Sequence, residues 1–261
     1  MSAARTLRGL GGIALVLLAW QGVVGSGLAT YDYLPSPVAI AASVPELFYD
    51  RGVIGETLHT LGATLAGWGI AVAIGLVLGA LLGFSPIARA WGLASVELLR
   101  PMPAVALVPA AMLLFGFSIA TELVVIVIPT IWPVLVSTMR GIMAAPARLE
   151  DVARTLRLGR IETIRKVLLP AAAPAVLVGC RLAMSTALVL AVVAEMIGNP
   201  EGIGYAVVRE AQALHPDLMF AYVLIAGMLG VLLNAGLVAL GRLLLPGAFN
   251  RPSAVASASA P

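Results

Sequence analysis

Residues 61–84 read LGATLAGWGIAVAIGLVLGALLGF, from Leu61 to Phe84, without one charged side chain. Coiled into a helix rising about 1.5 Å per residue, this stretch reaches across a hydrocarbon core of about 30 Å. Lipid offers no partners to backbone N–H and C=O groups, and a helix satisfies them within itself. Outward from this stretch lie five more apolar runs: Leu10 to Leu28, Ala104 to Ile119, Leu123 to Met139, Ala171 to Ile197 and Leu218 to Leu245. The expectation is an all-α, polytopic membrane protein with six transmembrane helices. The runs are continuous rather than alternating, which excludes a transmembrane barrel. The third and fourth are short, separated only by Ser118 to Glu122, and carry Pro109, Pro129 and Pro133, which kink helices.

Composition agrees. Of 261 residues, 61% are hydrophobic and 11% charged, with a mean hydropathy of +1.03. A soluble domain holds about 45–50% apolar and about 25% charged residues, so one soluble core could not hide this surface. The single Cys180 excludes disulfide scaffolds, structural zinc and iron–sulfur sites. His59 and His215 are the only histidines, too few for a metal-centred enzyme, and no metal site or cofactor is expected. Nor is a nucleic-acid partner.

The net charge of +3 matters less than its distribution. With the N-terminus inside, Arg5, Arg8, Arg89, Arg100, Arg140, the basic residues of 148–166, Arg242 and Arg251 fall on the cytoplasmic side, whereas Arg51 and Arg209 fall outside. Both termini then face the cytoplasm, and most acids, including Glu56, Glu122, Glu201 and Glu210, lie on the opposite side. The first run follows two arginines and could be a cleaved secretory signal, but five further spans make an uncleaved signal-anchor the simpler account. Residues 1–55 hold this anchor and an external segment with Pro35, Pro37 and Pro45, residues 56–245 form the core, and 246–261 read as a disordered Ser/Ala-rich tail. The external loops are shorter than a compact ligand-capturing domain.

The longest cytoplasmic loop, Arg140 to Pro170, has its own pattern. Leu149, Val152 and Leu156 make one apolar stripe, Gly159 interrupts, and Ile161, Ile164 and Leu168 make a second. Glu150 with Arg154, and Glu162 with Lys166, stand four apart with the acid first, the favourable orientation for a helical ion pair. Two short amphipathic helices of this kind suit either an anionic lipid surface or a groove on a partner protein.

The loop resembles the cytoplasmic signature of bacterial ABC importer permeases: Glu-Ala-Ala, three residues, Gly, nine residues, Ile, any residue, Leu-Pro. Here the positions are Asp151-Val152-Ala153, Arg157, Val167 and Leu169-Pro170, with the spacing complete. Glu97-Leu98-Leu99-Arg100-Pro101-Met102-Pro103, leading to Phe115-Gly116, is similar to permeases of the nitrate, taurine and alkanesulfonate group. So is Val193-Ala194-Glu195-Met196 followed by Gly202-Ile203-Gly204-Tyr205. The resemblance implies the type I ABC importer permease fold in a bacterial inner membrane, acting in import of an alkanesulfonate, taurine or nitrate-like anion. It also implies two copies of a separate ATPase subunit, a periplasmic solute-binding protein and a second permease subunit, with a homodimer expected. Residues 149–160 would be the coupling helix, with Glu150, Asp151, Ala153, Leu156, Arg157, Leu158 and Gly159 against the ATPase. Arg157 stands where the signature has glycine, so either the turn shifts to Gly159 or the ATPase surface accommodates an arginine. The chain has no Gly-x-x-x-x-Gly-Lys-[Ser/Thr] loop, so it is not itself expected to be an ATPase or another enzyme.

Two further residues are candidates for the translocation pathway. Arg181 lies roughly 16 Å beyond Pro170 along a helix, near the midplane, where it could meet an anion or could pair with a neighbouring span and hold the bundle together. Glu195, at the end of the same run, is either a gate residue or a solvated helix end. Glu97 and Arg100 could pair and fix the start of the third span, Gly202 to Tyr205 read as a tight turn, and Gly75 with Gly79 read as helix contacts. The alternative function is an ion-coupled secondary transporter, which would be expected to place acids or broken helices at the midplane.

Overall fold

The structure is a computed structural model that describes residues 3–26, 33–49, 52–145, 155 and 157–244. These residues are helical almost throughout, with no strand among them. The elements are α1 (Ala3–Gly25), α2 (Pro37–Tyr49), α3 (Val53–Phe84), α4 (Pro86–Leu99), a 3₁₀ turn (Ala104–Ala106), α5 (Leu107–Phe115), α6 (Ile119–Met143), α7 (Arg160–Thr163), α8 (Leu169–Gly198), α9 (Gly202–Gln212) and α10 (Pro216–Leu244). A π-helical stretch, Ile164–Leu168, joins α7 to α8. Local chemistry marks several starts. Gly52 supplies a left-handed backbone, φ 65°, before α3, and Ser85 caps α4 by accepting the Ala88 N–H ahead of Pro86.

Four of the six expected runs, or parts of them, lie in helices long and apolar enough to cross a membrane: Val53–Phe84, Ile119–Met143, Ile164–Gly198 and Pro216–Leu243. The expected third span differs. Its residues belong to a pair, Pro86–Leu99 and Ala104–Phe115, bent by 78°, so that only together do they pass for a span. Pro101 and Pro103 interrupt the helix between them, since proline supplies no N–H to continue the ladder. Glu97 and Arg100 form no ion pair with each other. The first run begins in α1, whose described apolar part is Gly11–Gly25, and its last residues, 27 and 28, lie outside the described residues.

The core is a three-helix seam in which α3 lies along α6 and α6 along α8. Small residues let the backbones approach. A methyl at Gly79 would sit 2.6 Å from the Leu135 carbonyl oxygen, and one at Gly179 2.9 Å from that of Pro133. Trp68 Nε1 donates to the Cys180 carbonyl at 2.9 Å and ties α3 to α8. At one end α2, α9 and α10 close a second core around Leu47, Ile203, Leu218 and the fully buried Tyr222. Elsewhere α10 leaves the bundle open: in its most apolar stretch only 6% of residues are buried.

Candidate functional site

At the end of the bundle that carries the acids, α9 begins against three side chains. The first N–H groups of a helix have no partner within it. Gly202 N donates to Glu56 Oε2 at 2.7 Å, Ile203 N to Thr60 Oγ1 at 2.9 Å and Gly204 N to Glu195 Oε2 at 2.9 Å. Glu56 and Thr60 lie one turn apart on α3, and Glu195 lies in the last turn of α8. The stretch Gly202 to Tyr205 is thus the start of a helix rather than a tight turn. Its glycines permit the approach: Gly202 has φ 91°, and a side chain there would collide with the Glu195 carboxyl carbon.

Beside these caps lies a polar cluster. His59 Nε2 stands 3.0 Å from Glu122 Oε1, and His59 Nδ1 stands 3.0 Å from Glu201 Oε2. The Asn199 amide nitrogen contacts both His59 Nε2 and Glu122 Oε1. Thr60 Oγ1 donates to Glu195 Oε2 at 3.0 Å. Glu122 is 0% exposed and Glu195 1%, so Glu195 is not a solvated helix end. A second network adjoins it. Arg209 donates to Glu56, Glu210 and the Tyr222 hydroxyl at 3.1, 3.0 and 3.3 Å. Partial burial lowers the Arg209 pKa, but hydrogen bonds to Glu210 and Glu56 outweigh it and raise the guanidinium above its ordinary value. Sequence reasoning placed Glu195 here and missed Glu56, His59, Thr60, Glu122, Asn199 and Arg209. The available signal was the spacing Glu56, His59, Thr60, which puts three polar side chains on one face of an otherwise apolar helix.

Arg181 lies on α8 several turns from Glu195, exposed and turned toward α10. Its Nε donates to Asn234 Oδ1 at 2.7 Å, and no carboxylate among the described residues pairs with it. Its partner is therefore an amide, which orients the guanidinium without neutralising it. A cavity of about 320 Å³ between the two helices is lined by Pro174, Leu177, Val178, Arg181, Leu237 and Arg242. A longer apolar groove of about 560 Å³ holds Ser185, Leu188, Gly230 and Asn234.

At the basic end, Glu150, Asp151, Ala153 and Leu156 lie outside the described residues. Arg157 has φ 52°, so the left-handed position falls on the residue that replaces the signature glycine and not on Gly159. Leu158 is half-buried and Gly159 exposed. Gly159 then caps α7: its carbonyl accepts the Thr163 N–H at 2.9 Å, and its own N–H donates to Glu162 Oε2 at 3.4 Å, half of a capping box. Lys166 Nζ donates to Glu162 Oε1 at 2.8 Å, the expected ion pair. That bond, with the Gly159 N–H, holds the Glu162 carboxyl below its ordinary pKa.

Residues 71–249 match the family described as binding-protein-dependent transport system inner membrane component. The chain is 32% identical over 232 residues to the putative aliphatic sulfonates transport permease SsuC of Bacillus subtilis, covering 89% of this chain and 84% of that one. It is 29% identical over 248 residues to the nitrate import permease NrtB of Synechococcus elongatus, covering 90% and 88%. An inward-facing crystal structure of the MetNI methionine ABC transporter shares the fold, with a TM-score of 0.66, 18% identity and coverage of 77% of this chain and 98% of its own. The match over the α3–α10 core and the likeness over most of the chain lead to one conclusion: this protein belongs to the inner-membrane permease components of binding-protein-dependent transport systems.

Proposed function

We propose that this chain forms the translocation pathway of an ATP-driven importer for a small organic or inorganic anion, an alkanesulfonate, taurine or a nitrate-like ion. A binding protein delivers the anion at the acidic end, and a separate ATPase subunit, in two copies, docks against residues 149–160 at the basic end. Both termini lie on the ATPase side. A second copy of the chain covers the open α8–α10 face, completing a pathway that one copy leaves half-lined. ATP-driven closure of the ATPase pair turns the two permease subunits as rigid bodies about that pathway. Glu195 belongs to the gate at the acidic end, where it fastens α9 to α3 and α8.

The observation that carries the cargo class is Arg181, held by Asn234, neutralised by no acid among the described residues and lining a cavity that also holds Arg242. A charge retained there is costly unless it meets an opposite charge in transit. The relatives named for sulfonates and nitrate support the same class. An ion-coupled secondary transporter is the alternative, and the proteoliposome assay separates them. The complex purified with its co-purifying subunits, reconstituted with its binding protein, should accumulate labelled taurine, an alkanesulfonate or nitrate only with ATP, and Arg181→Ala should abolish uptake. Accumulation driven by a proton or sodium gradient without ATP would overturn the proposal.

A further inference from the structure

The sequence offered no metal-ligand spacing, yet folding brings His59, Glu122 and Glu195 from three separate helices to one point. One nitrogen or carboxylate oxygen from each lies within 4.8 Å of the others. We propose that these three residues bind a divalent cation of the zinc class, which fastens α3, α6 and α8 together at the acidic end. The inference stands apart from the transport reading and from its cargo.

Three features distinguish the cluster from an ordinary buried ion-pair network. The first is an orphaned atom. Glu195 is 1% exposed, and its Oε1 has no hydrogen-bond partner while its Oε2 has two, from Thr60 and Gly204. A buried carboxylate oxygen left without a donor costs stability that a cation would restore. The second is the supporting shell. A metal-bound imidazole normally donates its other ring N–H to a carboxylate, and ligating carboxylates are themselves hydrogen-bonded. His59 sets Nε2 against Glu122 and Nδ1 3.0 Å from Glu201 Oε2, and Glu195 is held through Oε2 by the Gly204 N–H. The third is charge: folding buries the Glu122 and Glu195 carboxyl groups beside one another, and a divalent cation bound between them would balance two carboxylates at once. One imidazole and two carboxylates form the open three-ligand set that zinc accepts, with a fourth position left for water or an amide oxygen.

His59 Nε2 stands 3.0 and 3.3 Å from the two Glu122 oxygens, close to the roughly 3.3 Å between ligands about 2.0–2.1 Å from a tetrahedral ion. The Asn199 carboxamide, whose nitrogen touches both groups, must turn for the ion to enter and can then present its oxygen. Access is available. A cavity of about 460 Å³, lined by residues that include Phe117, Asn199, Tyr205 and Gln212, reaches Glu195 from outside. Binding requires the His59 Nε2 lone pair, so it releases whatever proton that nitrogen carries.

The full-length chain, purified with its co-purifying subunits in chelator-free detergent, should be dialysed against micromolar Zn²⁺ and its metal content measured by mass spectrometry. About one zinc per chain is expected, and substitution by Co²⁺ should produce the visible bands of a four-coordinate site. Glu195→Gln and His59→Gln should reduce binding at least tenfold. Glu201→Gln, at a carboxylate 66% exposed, should weaken it about 10–100-fold without disturbing the bundle. Folded wild-type protein that holds no stoichiometric zinc would overturn the proposal. So would zinc binding that Glu195→Gln leaves unchanged, and if that variant fails to fold, unchanged affinity in Glu201→Gln overturns it instead.

Discussion

The two sides of α8 carry opposite solutions to the same problem. On one side Gly179 and the seam with α6 bring backbones into contact and leave no room for a side chain. On the other, Val178, Leu182 and Val189 are more than half exposed, and among the described residues the Arg181 guanidinium reaches only Asn234. The first side is finished by this chain alone. The second is an apolar face with one fixed positive charge, which lipid or a second copy must cover. The contrast separates residues that fold the subunit from residues left for its work.

Substitutions can test that division, beginning with the largest expected effect. Gly79→Val forces a side chain into the Leu135 carbonyl and Thr138, so it should cost at least about 3 kcal/mol, and fluorescence-detected size exclusion should show little folded protein. Glu56→Ala removes a partly buried acceptor from both the Gly202 N–H and Arg209, and should cost about 2–3 kcal/mol, read as a lower detergent-solubilised Tm. On the open side, Asn234→Asp would neutralise Arg181. Uptake of a labelled anion should fall at least tenfold while Tm shifts little, and an equal loss of folded protein would move Arg181 into the structural group. Arg157→Gly is the smallest change. A non-glycine left-handed residue carries about 1–2 kcal/mol of strain, and glycine gives part of that back to unfolded-chain entropy, so a gain of about 0.5 kcal/mol is expected. Slower proteolysis of the 146–160 loop would report it.

Ala153→Glu tests the basic end separately. A charged side chain at this small residue should abolish ATPase co-purification while membrane insertion persists. Normal co-purification would remove the docking assignment for the loop.

Some of the acidic-end site was legible before folding and some was not. Glu195 was singled out because an acid closing a long apolar run is conspicuous. His59 and Glu122 are inconspicuous, since each sits near the edge of its own run, where polar residues are ordinary. Their partners are 63 residues apart, and Glu56 meets Gly202 across 146. No local periodicity encodes such meetings. The broken third span was half-legible: Pro101 and Pro103 announce an interruption, but the 78° bend depends on how α4 and α5 pack once separated.

The sequence by itself determined that the chain is an all-helical membrane protein, where its long apolar runs lie, and which stretch between them is basic. Those properties follow from transfer free energies and charge counts that accumulate along consecutive residues and need no knowledge of neighbours. Only the tertiary structure decided which polar groups are buried together, that Arg181 is held by an amide, and that Arg157 rather than Gly159 takes the left-handed backbone. The reason is physical: a buried polar atom is tolerable only with a partner, and the partner comes from another helix whose register is set by packing.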